Sequence, residues 1–412
     1  MTKHVVVIGA GIIGITTALE LQRRGHSVLV LDREGVAAQA SAGNAGAFAF
    51  SEVEPLATPG IMKKAPKWLL DPLGPLSIPP TYALKIAPWM FRFWRASRPG
   101  RYKDLLRAQA SLMELSSAAL TRLLASVDGE AMMQRDGQMQ LYESEVEYRA
   151  SLPTWELRRH HGIEFDLLES REAIAERQPG LSPRFTHAGF TPNWINTVDP
   201  KKWVEHLAKT FQDRGGRINR QEIRALTPTD SGMRITLAEG GVEADKVVLC
   251  AGAWSHHLAR TLGDHIPLET ERGYNTTLPE GAFDLRMHLT FSRHGFVASR
   301  INGGVRIGGA VELGGLELPP NFERADTLLQ KATQFLPGLN TEGGTQWMGF
   351  RPSLPDSLPV IGASPQARDV IYAFGHGHLG LTQSAGTAEL VGALIDDQPG
   401  QISLIPFSAS RF

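Results

Sequence analysis

His4-Val5-Val6-Val7-Ile8-Gly9-Ala10-Gly11-Ile12-Ile13-Gly14 is the stretch that decides how this chain folds. His4 to Ile8 is apolar and β-branched, as a buried strand is, and Ile12 to Arg24 then takes up helical spacing before Ser27 to Leu31 reads as a second strand. Strand, tight turn, helix, strand is a βαβ unit with parallel strands. Within the turn, Gly9 permits the sharp bend, Gly11 lets the backbone approach a pyrophosphate, and Gly14 lets helix and strand pack closely. Phosphates on the helix N-terminus meet free N–H groups and a favourable dipole, and the backbone of Ile12 and Ile13 lies there. Asp32 closes the second strand 18 residues after Gly14, where a carboxylate accepts ribose hydroxyls and repels a 2′-phosphate. A glycine loop serving only as a turn has no need of that acid.

Outward from this unit, the 412 residues exceed the roughly 100–200 of one typical domain, so two interleaved domains are expected. Lys and Arg total 42 against 43 Asp and Glu, so no net attraction toward nucleic acid arises. Cys250 is the only cysteine, which excludes internal disulfides, iron–sulfur ligation and Cys-rich zinc sites. Its place in Val247-Val248-Leu249-Cys250-Ala251 is that of an inert, buried strand residue. No metal site is expected, because His160-His161 and His256-His257 lack both HExxH spacing and neighbouring cysteines. The apolar run after Lys3 imitates a secretory signal poorly, and no run reaches the roughly 18 apolar residues of a membrane span. A cytoplasmic protein is expected, with peripheral attachment to the inner face of a membrane left open.

Further along, Tyr102 to Val127 has leucines at helical spacing and Gly137 to Tyr142 alternates like a strand, together suggesting a separate domain. Strands are expected at 188–191, 267–278, 295–300 and 304–311. Pro200 to Asp213 reads as a helix capped by Asp199 and stopped by Gly215-Gly216. Between Pro55 and Pro99 stand nine prolines and the cluster Trp89, Phe91, Phe93, Trp94 among Lys85, Arg92 and Arg95. Two readings meet there: an amphipathic patch on a membrane surface beside a quinone, or a proline-punctuated segment packed against the second domain. The prolines, through which no long helical face can be drawn, favour packing.

A nicotinamide dehydrogenase usually keeps its cofactor domain contiguous, whereas cofactor-like glycine motifs return here near residues 251 and 375. After Asp32-Arg33, the segment Ala40-Ser41-Ala42-Gly43-Asn44-Ala45-Gly46 resembles the one that wraps the pyrophosphate and flavin in the D-amino acid oxidase superfamily. The D-amino acid dehydrogenase branch is its nearest match. Val247 to Ser255, with Ala251-Gly252, looks like that superfamily's second nucleotide strand and turn. Gly349-Phe350-Arg351-Pro352, followed by Pro355 to Gly362, resembles its C-terminal signature. Gly375-His376-Gly377-His378-Leu379-Gly380-Leu381-Thr382 looks like its flavin-contacting loop and helix start. The blocks run in order from residue 4 to about residue 395.

The resemblance implies an α/β and α+β protein: a discontinuous Rossmann-like FAD-binding domain (1–62, 194–264 and 349–412) with a mixed-sheet substrate, or cap, domain (63–193 and 265–348). It implies noncovalent FAD, since Cys250 sits in the wrong motif for a cysteine-linked flavin. It also implies oxidation of the α C–N bond of a small amino acid, D-amino acids first and cyclic ones such as D-proline or D-hydroxyproline among them. A glycine or sarcosine oxidase, or the flavin subunit of a hetero-oligomer, stands as the alternative. The electron acceptor is left open between a quinone, another redox protein and O2. Such chemistry needs the α-carboxylate held, and a guanidinium does this in bidentate fashion. Arg351 falls where the family's carboxylate-binding arginine is expected. Tyr274 resembles a cap position whose hydroxyl closes over the carboxylate or amine, and His378 is expected to bond the cofactor or tune proton loss from the amine.

Overall fold

Val5 and Val7 turn to one side of the first strand, Val6 and Ile8 to the other, and all four are buried. That two-sided burial is the mark of a central parallel strand. In the computed structural model, which describes residues 1–63 and 76–412, His4–Ile8 is flanked by Ser27–Asp32 and Lys246–Leu249. The sheet runs Arg217–Arg220, Ser27–Asp32, His4–Ile8, Lys246–Leu249, Val370–Phe374, all parallel, and ends on the antiparallel Val360–Ala363. Helices Ile12–Arg23, Pro200–Asp213 and Gly380–Ile395 pack on one face. A three-stranded antiparallel sheet over residues 223–244 and helix Ser255–Thr261 cover the other. Asp199 caps its helix by accepting from the N–H of Lys201 and Lys202.

The second sheet has nine strands and is mixed. At one end Thr345–Ser353 pairs with Glu269–Leu278, followed by Gly304–Leu313, Phe296–Ile301 and His288–Phe291. Gln138–Tyr142 continues it in parallel with His288–Phe291, and helix Glu323–Phe335 packs on its outer face. The two-layer arrangement is the expected Rossmann-like domain with a mixed-sheet cap.

Three features depart from the sequence reading. Helix Pro99–Val127, expected to be part of the 63–193 cap segment, buries Leu112, Leu120 and Leu124 among the helices of the parallel sheet. Its apolar stripe specifies that some partner is needed without saying which one. The 348/349 boundary falls inside a continuous strand, because Gly349 and Arg351 pair with Gly273 and Glu271 of the cap sheet. Finally, Ala83–Ala96 is a 14-residue helix despite Pro88. Its Ile86 and Trp89, with Tyr82, pack on Leu313 of the cap, as the packing alternative required. Burial of that face outweighs the hydrogen bond lost at the proline. Residues 64–75 of the Pro55–Pro99 segment lie outside the described residues.

Candidate active site

A cavity of ≈ 920 Å³ opens between the two sheets, and three segments distant in sequence converge on it. One end of it is lined by the Gly9–Gly11 turn, Asp32, Arg33, the 40–45 segment and Ala251-Gly252, the residues expected at a dinucleotide. Gly9 has φ +111, and a methyl group there would collide with the Cys250 carbonyl. The loop therefore requires glycine on both counts. Gly14 does not border the cavity: a side chain there would overlap the Gly9 carbonyl, so this glycine serves helix–strand packing. Helix Ile12–Arg23 has no side-chain cap on Gly11, although Ser41 Oγ accepts from the N–H of Ile12 at 3.0 Å. Helix Gly380–Ile395 likewise starts uncapped at Leu379, and both N-termini face the cavity. Their free N–H groups form ready anion sites.

Asp32 has more to do than its spacing indicated. Its Oδ2 accepts from Ala10 N–H and its Oδ1 from the N–H groups of Glu34 and Gly35, each at 2.8 Å. The carboxylate thus ties the glycine loop to the turn after the second strand while still bordering the cavity. Arg33 lies over Trp254, its guanidinium carbon 3.9 Å from the ring centre.

Cap residues fasten the 40–46 segment. Asn275 Nδ2 donates to the Gly43 carbonyl at 2.8 Å, and Arg306 Nη1 donates to the Asn44 carbonyl at 2.6 Å. The Trp347 indole lies where a methyl group on Gly43 would be. Arg306 is largely buried, which pushes its pKa down to about 10 against the opposing pull of Asp199. Asn44 Oδ1 closes the turn by accepting from Gly46 N–H at 2.8 Å. Gly46, at φ +69, and Thr382 stand just outside the cavity wall. Thr382 Oγ1 accepts from Ala49 N–H and holds the neighbouring short strand. Arg306, Asn275, Trp347 and Trp254 were not among the expected site residues.

The other end of the site is built where the cap strand meets the 375–382 loop. Gly377 N–H donates to the Pro352 carbonyl at 2.7 Å and Ser353 bridges His376, which brings Arg351 beside His378. His378 lines the cavity and presents an exposed ring to it. Desolvation by the protein around the cavity lowers its pKa, with Glu271 opposing the shift and Arg351 adding to it. Burial also lowers the pKa of Arg351, with Glu271 raising it, though a guanidinium stays charged. Among the described residues Arg351 makes no salt bridge, and its one hydrogen bond runs from Nη1 to the Ala310 carbonyl at 3.1 Å. The domain-bridging ion pair that so often explains a buried arginine is absent from this set. Ala310 is held at φ +52, an unusual conformation for a residue with a side chain, beside a β-bulge at Arg272/Tyr274. Gly308-Gly309 in a strand interior was the local sign of that irregularity.

Tyr274 borders the same cavity, but its hydroxyl is turned away from Arg351. Side chains alternate along a strand, and Arg351 pairs with Glu271 whereas Tyr274 pairs with Met348, so Tyr274 and Arg351 project from opposite faces. The Tyr274 hydroxyl accepts from Asn321 N–H at 3.1 Å and its ring meets Phe322 edge-on. His376 is a structural residue, bonded through Nε2 to Thr387 Oγ1 at 3.0 Å. Cys250 is buried and its thiol pKa is pushed far up. Among the described residues no group of three or more His, Cys, Asp or Glu is placed to hold a metal ion.

The residues present fit a flavin dinucleotide. The cavity joins two uncapped helix N-termini through a glycine-lined passage, and the buried Oδ1 of Asn275 on its wall has no partner among the described residues. Comparisons with known proteins agree. Residues 4–394 match the family described as FAD dependent oxidoreductase. The chain is 35% identical to a D-amino-acid oxidase of Bradyrhizobium diazoefficiens, with 100% of this chain and 99% of the relative aligned. It is 31% identical to a D-amino acid dehydrogenase of Sinorhizobium medicae, over 99% of both. Glycine oxidase from Geobacillus kaustophilus shares the fold, with a TM-score of 0.80 at 20% identity over 100% of both chains. The chain belongs to the FAD-dependent oxidoreductase family, with FAD as its cofactor.

Proposed function

We propose that this enzyme oxidises the α C–N bond of small amino acids, preferring D-amino acids and accepting cyclic ones such as D-proline or D-hydroxyproline. The observation that carries the reading is Arg351: a charged guanidinium on the cavity wall, with one hydrogen bond to a carbonyl and donors to spare. A carboxylate is the ligand such a fork fits best. The names of the two relatives, D-amino-acid oxidase and D-amino acid dehydrogenase, support the substrate class.

In this reading the N–H groups of the Gly9–Gly14 loop receive the pyrophosphate, with Ile12 and Ile13 at the helix start. Asp32 receives the ribose, Arg33 and Ala251-Gly252 border the adenosine end, and the 40–46 segment wraps the dinucleotide. The 375–382 loop faces the isoalloxazine. FAD supplies the hydride acceptor. Arg351 fixes the substrate carboxylate and so orients the α C–H, while the cap sheet excludes water from the reacting centre. His378, its pKa lowered by its surroundings, offers a proton acceptor beside that anchor, so that the amine can lose the proton that blocks its lone pair. The product is an imino acid, which hydrolyses to a 2-oxo acid and ammonia, or remains a cyclic imine when the substrate nitrogen is in a ring.

The test is an anaerobic absorbance titration of the holoenzyme with D and L pairs of alanine, proline and hydroxyproline, and with glycine and sarcosine. Bleaching of the flavin band by D-isomers is the expected result. Reduction by glycine and sarcosine alone would replace this reading with a glycine-oxidase one. Re-oxidation by air, by a soluble quinone or by neither then identifies the class of electron acceptor.

A further inference from the structure

Among the described residues eight large hydrophobic side chains are exposed, and three of them sit on the single helix Ala83–Ala96. Leu84 is 90% exposed, Phe91 56% and Trp94 40%. Scattered apolar residues on a surface need no explanation, but a cluster does. The helix is apolar on two sides. Its inner side, Ile86, Trp89 and Phe93, is occupied by the cap. On its outer side Leu84, Ala87, Pro88, Phe91 and Trp94 face solvent, and the rings of Phe91 and Trp94 lie 5.6 Å apart as one aromatic patch.

Along the stretch of chain that carries this patch the charge has one sign. Between Leu76 and Lys103 the sequence holds Lys85, Arg92, Arg95, Arg98, Arg101 and Lys103 and no acidic residue, in a chain whose net charge is −1. All six cations are exposed, and the guanidinium of Arg98 lies 4.4 Å from the centre of the Trp94 ring. Long cationic side chains around protruding aromatic and aliphatic ones match an anionic bilayer surface: the apolar groups enter the headgroup boundary while the cations reach phosphates. No helix of the described residues is long and apolar enough to cross a membrane, so attachment through this face lies in the interfacial plane.

We propose that the outer face of helix Ala83–Ala96 is a docking surface for an anionic phospholipid bilayer, with Leu84, Phe91 and Trp94 inserted and Arg92, Arg95 and Arg98 paired with lipid phosphates. The occupant follows from the charge: a second copy of this chain would bring the same cationic patch against itself.

Sedimentation of the holoenzyme with vesicles tests this. Vesicles of phosphatidylcholine with about one-quarter phosphatidylglycerol are expected to carry the protein down, vesicles of pure phosphatidylcholine to leave it in solution, and high salt to release it. The double variants Phe91→Ser/Trp94→Ser and Arg92→Gln/Arg95→Gln are each expected to weaken partition at least about ten-fold while flavin content and soluble activity stay unchanged. Absence of binding to the anionic vesicles, or undiminished binding by both variants, overturns the proposal. So does size-exclusion evidence of a dimer that Phe91→Ser/Trp94→Ser dissolves, since the face would then belong to a second copy.

Discussion

The guanidinium of Arg351 lies across Gly273 on the neighbouring strand, in the space that a side chain at position 273 would fill. The strand residue without a Cβ and the strand residue with a buried charge are therefore one device. Gly273→Ala is expected to push the guanidinium off its place. A displacement of about 1 Å at a substrate anchor costs on the order of 100-fold in kcat/KM. The flavin spectrum should stay intact, because position 273 is not among the residues proposed to hold FAD. Steady-state kinetics check this, and unchanged kcat/KM would mean that Arg351 is not anchored by this contact.

Replacing Arg351 itself separates charge from geometry. Arg351→Lys keeps the charge but loses the fork, so one charge-assisted hydrogen bond of ~2 kcal/mol should vanish and apparent substrate affinity should fall about 30-fold. Anaerobic titration reads the affinity directly, free of turnover. An unchanged titration curve would remove Arg351 from the role of carboxylate anchor.

Gly43 makes a comparable contact at the cofactor end, where the Trp347 indole occupies the space of a missing side chain. In Gly43→Ala the ring must move or the 40–46 segment must shift. Overpacking of this kind costs about 1–3 kcal/mol, here expressed as about 10- to 100-fold weaker FAD retention. Flavin released on dilution, followed by its fluorescence, gives the measurement. Retention equal to that of the parent enzyme would show that the segment tolerates the shift.

Burial pushes the pKa of both His288 and His376 down to about 3, against 6.5 for the free side chain. Between pH 6.5 and 3 the unfolded chain binds protons at these positions and the folded one does not. Stability is thus complete above about pH 6.5 and is lost as pH falls through that window, approaching ~1.4 kcal/mol per pH unit for each histidine. Urea unfolding in excess FAD at pH 7, 6 and 5 should show the decline. In His288→Gln, which keeps a neutral partner for Ser299, the part of the slope due to position 288 should disappear.

The nucleotide half was legible because its signals are local. Gly9, Gly11, Gly14 and Asp32 act within one βαβ unit, and chain spacing fixes their relation. The half built by long-range pairing was legible only in outline. Gly273, Asn275, Arg306 and Trp347 act from cap strands separated by tens of residues, and what places them is the register between strands, which no single strand's sequence specifies. The same limit applies to helix Pro99–Val127, whose stripe could cover either sheet. Helix Ala83–Ala96 was missed for another reason: its prolines oppose helix formation locally, and only the surface of the cap overrides them.

Tyr274 shows how one step of register changes a functional reading. Its sequence context resembles that of a substrate-contacting tyrosine, and it does sit on the strand paired with that of Arg351. The one-residue offset turns its side chain to the other face, where the hydroxyl serves Asn321. Tyr274→Phe should therefore leave substrate affinity within about two-fold of the parent. Loss of the bond to Asn321 N–H, which leaves a donor poorly satisfied, should cost about 1 kcal/mol of stability. Thermal unfolding and anaerobic titration of the same preparation distinguish the two effects. A fall in affinity as large as that expected for Arg351→Lys would mean that the hydroxyl reaches the substrate after all, and that the cap strand rearranges when substrate binds.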